Sequence, residues 1–193
     1  MDDELLRRCQ RGEESALESL VERFQERVFR LACRVLADQA RAEDATADAL
    51  AAVWSRCGSW RGREGAAAWI RQVAWRVILD HHRSRRRWWR FWDLERSGDV
   101  FISKEPAGLP ALAERDALEQ REQTVGVALQ TLSAEERALV HWHYFESLSL
   151  ADIAGILGVS REAVKMRLSR VRDKLRPMLK DTFEAIHDGG EPG

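Results

Sequence analysis

Residues 147–176 read SLSLADIAGILGVSREAVKMRLSRVRDKLR, and the rest of the chain is understood outward from them. Leu150, Ile153, Ala154 and Leu157 fall at i, i+3, i+4 and i+7, which places them on one apolar helical stripe. Gly158 interrupts the pattern, and Ser160 stands where its hydroxyl can accept a backbone N–H as the N-cap of a second helix. On that helix Val164, Leu168, Val171 and Leu175 again mark a single buried face, with Arg161, Lys165, Arg167, Arg170, Arg172, Lys174 and Arg176 between them. Two short amphipathic helices around a glycine turn, the second of them basic, predict a helix-turn-helix whose second helix enters the DNA major groove. The plainer reading of the same residues is a helical hairpin with a solvated basic face.

Upstream, Val125, Leu129 and Leu132 carry a helical pattern, and Ser133 with Glu136 forms a capping-box signature opening a helix through Phe145. Residues 122–187 therefore read as a four-helix C-terminal domain, followed by a disordered tail at 188–193. The N-terminal residues 1–92 read as a second helical domain. A short helix over 2–11 closes at Gly12, and Ser15 with Glu18 suggests a capping box before a long core helix carrying Leu17, Leu20, Val21, Phe24, Val28, Leu31, Ala32 and Val35. A polar break at residues 38–41 precedes a helix over about 42–57. Its Ala45, Ala49, Val53 and Trp54 face inward, and Glu43, Asp44 and Asp48 form an outer acidic edge. The glycine-rich stretch GSWRGREG at 58–65 is a loop. A fourth helix follows from Ala66, with Ile70, Val73, Ala74, Val77 and Ile78 inward.

Past Asp80 that helix turns strongly basic, with Arg83, Arg85, Arg86, Arg87 and Arg90, and Trp88, Trp89, Phe91 and Trp92 interleave with them. Bases beside aromatics suit a nucleic-acid backbone with unstacked bases, and the rings equally suit packing back onto the bundle. Residues 93–121 are punctuated by Gly98, Pro106, Gly108 and Pro110 and are rich in acids, which predicts a flexible acidic linker.

The chain has 193 residues and a formal net charge of −1, so it is not a nonspecific polycation; its charge is segregated along the sequence instead. Three cysteines without a CxxC fit neither a disulfide framework nor a zinc site and fit a reducing cytosol. No signal peptide and no apolar run of the roughly 20 residues a membrane span requires is seen, which predicts a cytoplasmic protein without membrane insertion. Abundant alanine, leucine, arginine and glutamate predict an all-α fold. No GxxxxGK[ST] or GxGxxG occurs, so no cofactor is expected. His141 and His143 point to different sides of a helix, and Asp44 with Asp48 lacks further metal ligands, so neither a metal nor catalytic residues are expected.

Two helical domains, the first ending in a basic–aromatic helix and the second in a helix-turn-helix, resemble the extracytoplasmic-function (group IV) sigma factors of bacterial RNA polymerase. RAEDATADALAAVW resembles the family's region 2.2, SWRGREGAAAWIRQVAWRVILDHHRSRRR its regions 2.3 and 2.4, and TLSAEERALVHWHYFESLSLADIAGILGVSREAVKMRLSRVRDKLR its region 4. The resemblance implies that Glu43, Asp44, Asp48, Leu50 and Trp54 dock on core polymerase at the β′ clamp helices, with the C-terminal domain at the β flap. It implies a loop at Ser59, Trp60, Arg61 and Gly62 that captures a flipped −10 base, Trp60 supplying the stacking surface, while Arg76, Arg83, Arg85 and Arg86 follow the melted −10 strand. On the recognition helix it places Lys165, Met166, Ser169 and Arg170 toward −35 bases, and Arg161 and Arg167 nearer phosphate. The chain departs from the family's common pattern at Trp75-Arg76 (usually Arg-Asn), at Ala47-Asp48 (usually Gln-Glu) and in the Trp88–Trp92 cluster. An anti-sigma partner that covers the tryptophan-rich surface or wedges between the domains is a further implication. The alternative is a helix-turn-helix regulator of another type, acting without replacing a sigma subunit.

Overall fold

The computed structural model of the chain describes residues 2–62, 65–89 and 124–187, and every regular element among them is helical. In order they are α1 (Asp2–Gln10), α2 (Glu14–Leu36), α3 (Gln39–Arg56), a 3-10 turn (Cys57–Ser59) and α4 (Ala66–Trp89). Then come α5 (residues 124–130), α6 (Ala134–Val140) running into a π turn (His141–Phe145), α7 (Leu150–Leu157) and α8 (Arg161–His187). Arg90, Phe91 and Trp92, the acidic linker at 93–121 and the tail at 188–193 lie outside the described residues, and so do the side chains of Arg85, Arg86, Arg87, Trp88 and Trp89 at the end of α4. No described helix is long and apolar enough to cross a membrane.

The expected stripe of α2 is its core face: Leu20, Phe24, Val28, Leu31, Ala32 and Val35 are buried, and Leu17 and Val21 pack at its margin. The expected capping box at Ser15 does not form. Gly12 takes the left-handed region (φ 74°), which turns the chain early, and α2 starts behind Glu13 without a side-chain cap. The Glu13 carboxylate is held instead by Arg8 at 2.8 Å and Arg11 at 2.7 Å, and Ser15 Oγ accepts from Arg8 at 2.9 Å. At the other end Ala37 closes α2 in the left-handed region, its N–H donating to the Cys33 carbonyl at 2.9 Å. Asp38 then caps α3, its Oδ1 accepting the Arg41 N–H at 3.1 Å. The polar stretch at 38–41 is therefore a cap and a first turn, and α3 begins three residues earlier than the pattern suggested.

In the C-terminal half the Ser133 capping box is complete: Ser133 N–H donates to Glu136 Oε2 at 2.8 Å and Glu136 N–H to Ser133 Oγ at 3.3 Å. The helix it opens is not α-helical throughout. After Val140 it widens into the π turn, with the Glu146 N–H donating to the His141 carbonyl five residues back at 3.1 Å. Ser149 caps α7, Gly158 ends it in the left-handed region (φ 68°), and Ser160 caps α8 by accepting the Ala163 N–H at 3.1 Å. Val164, Leu168 and Val171 are buried and Leu175 is half-buried, so α8 keeps the inner face read from its spacing.

The two halves touch. α7 lies on α4 and α6 on α2, and buried side chains from both halves belong to one continuous core. At its centre Trp142, fully buried, meets Trp75 of α4 edge-on, ring centroids 5.4 Å apart and planes 77° apart. Such a pair contributes about 0.5–1.5 kcal/mol beyond the area it buries.

Candidate nucleic-acid interface

Because α8 turns Val164, Leu168 and Val171 inward, its first turns must present Arg161, Lys165, Met166, Ser169 and Arg170 to solvent, and all five are exposed. Met166 is 57% exposed, so its apolar side chain is open to contact from outside the bundle. Arg167 stands apart from the other five. It is half-buried, with its guanidinium 3.5 Å from Glu135, a surface pair of about 0–1 kcal/mol that a phosphate could displace. The helix reaches its angle to α7 through Gly158, because the left-handed conformation there disfavours any residue with a Cβ.

The loop after α3 is fastened from α1. Gln10 Nε2 donates to the Cys57 carbonyl at 2.8 Å and to the Trp60 carbonyl at 3.0 Å, and Asp3 Oδ1 accepts the Ala66 N–H at 2.7 Å at the start of α4. Ser59, Arg61 and Gly62 are exposed. Trp60 is not: it is 4% exposed and belongs to the core. The expectation of an indole presented to a flipped base is thus corrected. An apolar core lies beneath the loop, and burying a large apolar side chain stabilises by roughly 1.5–3 kcal/mol. On α4, Arg76 and Arg83 are exposed and seven residues apart, hence on one face, and Arg85 and Arg86 continue the helix one turn on.

The outer edge of α3 presents Glu43, Asp44 and Asp48 as expected. Asp48 Oδ2 lies 2.9 Å from His81 Nε2, and the Arg41 guanidinium donates to the His81 carbonyl, so this edge is braced against α4. Leu50 does not belong to that surface. It is 6% exposed, packed in the core behind Ala42, Ala45, Thr46, Ala49 and Val53, because the small-residue stripe of α3 is wider than its alanine spacing suggested. Trp54 is half-buried against the same core.

Between the halves lies a cleft of about 350 Å³ lined by Arg27, Arg30, Arg34, Arg71, His141, Phe145 and Glu146. Arg71 Nε donates to Glu146 Oε2 at 3.0 Å, His141 Nε2 lies 3.1 Å from Glu146 Oε1, and the Arg34 guanidinium stacks 3.2 Å from the Phe145 ring centroid. Burial pushes the Glu146 carboxyl upward, but the His141 hydrogen bond and the Arg71 charge outweigh it and hold the group below its ordinary value. Burial pushes His141 down, against the pull of Glu146 and with help from Arg34 and Arg30, so the imidazole is neutral at pH 7. Its Nε2–H then donates to Glu146, and the Nδ1 without a hydrogen-bond partner is an acceptor. This cleft, like the anchoring by Gln10 and Asp3, joins residues far apart in the chain, from 47 positions for Gln10 and Cys57 to 75 for Arg71 and Glu146 and more for Arg34 and Phe145, and leaves no trace in local spacing.

Residues 20–88 match Sigma-70 region 2, and residues 128–177 match Sigma-70, region 4. The RNA polymerase sigma-H factor of Pseudomonas aeruginosa is 27% identical over 93% of this chain and 96% of its own length. The ECF RNA polymerase sigma factor SigL of Mycobacterium tuberculosis is 31% identical over 80% of this chain and 83% of its own. The sigma factor RpoE, crystallised with the anti-sigma factor NepR from Bartonella quintana, shares the fold with a TM-score of 0.68 at 23% identity, covering 84% of this chain and 96% of that one. With region 2 holding α3 and α4, region 4 holding the helix-turn-helix, and a relative of this identity along most of its length, the chain belongs to the extracytoplasmic-function sigma factors, the alternative sigma factors of RNA polymerase.

Proposed function

We propose that this chain binds core RNA polymerase in the cytoplasm and directs it to promoters carrying both a −35 and a −10 element, acting as a specificity factor and not as a catalyst. Residues 1–92 act as region 2, 93–121 as a connector through the RNA exit path and 122–187 as region 4. The outward stripe of α8 carries the reading: Arg161, Lys165, Met166, Ser169 and Arg170 leave one helix together, on a scaffold whose inner face is fixed. Lysine and arginine at groove depth read guanine edges, each good bidentate pair giving about 1–3 kcal/mol of discrimination. The −10 strand follows Arg76, Arg83, Arg85 and Arg86 past the exposed Ser59, Arg61 and Gly62. Trp60 serves this site from below by supporting the loop. Glu43, Asp44 and Asp48 meet the β′ clamp helices, with Trp54 at their margin and Leu50 supporting the helix from inside, and region 4 meets the β flap. Because net charge is near zero, each DNA contact is weak alone, and polymerase makes them act together by fixing their separation. An anti-sigma factor holds the chain inactive, as the fold shared with a sigma factor crystallised with one suggests.

Reconstituted run-off transcription with core polymerase tests this reading. Lys165→Ala and Arg170→Ala are each expected to lower initiation from a −35-dependent promoter by roughly 5- to 100-fold, in line with about 1–3 kcal/mol per base contact. Promoters with a scrambled −35 box should be indifferent to both changes. Equal loss on both promoters reassigns the two side chains to phosphate, and no promoter-dependent transcript from the unaltered chain rejects the proposal.

A further inference from the structure

Four guanidinium groups line the 350 Å³ cleft: Arg27, Arg30 and Arg34 from α2, and Arg71 from α4. Steps of three and four residues put the first three on one face of α2, where like charges at this spacing repel and a counter-charge stabilises them. Among the lining residues the one carboxylate is Glu146, which takes the Nε–H of Arg71 at 3.0 Å. Glu26, on the exposed side of α2, pairs with Arg30. A guanidinium carries five N–H donors, more than one carboxylate or one ring contact uses. Arg34 is also held in place, its guanidinium 3.2 Å from the Phe145 ring centroid, so part of the ordering a ligand would impose is already made. His141 lines the same cleft with a side chain only 3% exposed, and its Nδ1 has no hydrogen-bond partner. A buried acceptor of this kind is costly until a donor reaches it. The cleft is therefore cationic, partly pre-organised and short of one donor.

We propose that this cleft is a binding site for a small diphosphate-bearing anion, either inorganic pyrophosphate or the diphosphate of a nucleotide. Its volume lies at the lower end of small-ligand sites, about 300–1,000 Å³, which suits an anion of this size. Guanidinium matches phosphate oxygens with paired N–H donors, and several of them balance a multiply charged anion where one carboxylate would leave most of the charge unanswered. Neighbours three and four residues apart on a helix stand about 5–6 Å apart at Cβ, a spacing at which two linked phosphates each meet a guanidinium. Arg27, Arg30 and Arg34 take the diphosphate from the α2 side. Arg71 reaches it from α4 with its Nη groups, its Nε–H being held by Glu146. Neutral His141 offers Nδ1 to a ligand hydroxyl, directly or through a water. The site is made by the folded chain alone and does not depend on the sigma-factor reading.

Titration calorimetry of the full chain tests the site, with pyrophosphate and adenosine diphosphate as probes in magnesium-free buffer at matched ionic strength. Saturable binding at one site per chain is expected, with a rise in melting temperature that grows with ligand concentration. Neither binding heat nor a higher melting temperature at about 1 mM of either probe overturns the proposal. Arg27 is exposed, so Arg27→Gln leaves the core untouched, and it is expected to weaken pyrophosphate binding roughly fivefold or more. Arg34→Gln should do the same from deeper in the cleft. Arg23→Gln removes an equal charge from the same helix outside the cleft, where Arg23 pairs with Asp2 at 2.6 Å, and should change binding by less than about twofold. Equal weakening by Arg23→Gln and Arg27→Gln shows general charge attraction and overturns the site. Adenosine diphosphate binding at least as tightly as pyrophosphate assigns the cleft to nucleotides, and weaker binding assigns it to free pyrophosphate. A short single-stranded oligonucleotide that displaces pyrophosphate, binds more tightly and shares the dependence on Arg27 assigns the cleft to a nucleic-acid backbone and overturns the small-anion proposal.

Discussion

Ala37 holds φ at 52°, where its Cβ crowds the following carbonyl, and it does so because two residues must both end α2 and cap α3. That conformation costs an L-residue roughly 1–2 kcal/mol, part of which glycine returns as unfolded-chain entropy. Ala37→Gly should therefore raise stability by about 0.5 kcal/mol net, read as a higher urea midpoint at unchanged slope. The cysteines make a second single-residue case. Cys9, Cys33 and Cys57 are free and buried, and burial, with Glu43 adding to it, pushes the Cys33 thiol up to about 11. Thiolate is the reacting form, so at pH 8 folded Cys33 should alkylate roughly a hundredfold more slowly than in urea, before steric protection is counted. Mass spectrometry of quenched samples measures this, and fast labelling of folded Cys33 would contradict the burial. At this scale the exposed residues of α8 were legible because helical spacing fixes side-chain direction. Trp60 was not: its neighbours in sequence are loop-forming, and the core that captures its ring comes from distant helices.

Helix ends separate what is local from what is not. Ser133 and Ser15 carry the same signature with Glu three residues on, and only Ser133 is capped by it. Ser133→Ala is expected to lose about 1 kcal/mol of stability, and Ser15→Ala to stay within about 0.5 kcal/mol, both by chemical denaturation. Equal losses would mean that Ser15 does cap α2 in solution. The pattern misled at Ser15 because a cap works only where the chain enters the helix, and Gly12 with Glu13 sets that entry elsewhere. The π turn after Val140 escaped the spacing for another reason. Periodicity over His141–Phe145 suits an α-helix, and it is the buried placement of His141 and Trp142 that coincides with the extra residue in the turn.

For the whole molecule, the cleft between the halves sets a pH dependence. Glu146 has its carboxyl held low in the folded chain, so its contribution is present above its unfolded value near 4.5 and is lost as pH falls through the folded value. His141 is held neutral below its ordinary 6.5, chiefly by burial, so below that pH the unfolded chain takes up a proton that the folded one refuses. Both effects run the same way, and the Arg34, Arg30 and Arg71 charges around the cleft reinforce them. The melting temperature should fall from pH 7 toward pH 4, and His141→Asn should flatten the upper part of that decline, between about pH 6.5 and 5. An unchanged slope in the variant would show that the imidazole is not buried as described. The two-domain helical plan was legible because each half has its own periodicities. The docking between halves was not, since it joins Trp75 to Trp142 and Arg71 to Glu146 across some 70 residues of sequence.

The same ring pair makes the chain its own optical gauge. Two indoles 5.4 Å apart and 77° out of plane couple their electronic transitions, and the crossed geometry lends that coupling optical activity. The packing of the two halves is written into the circular dichroism as an exciton couplet that disappears when the rings separate. Loss of this packing on denaturation can thus be timed by stopped flow on the unlabelled protein.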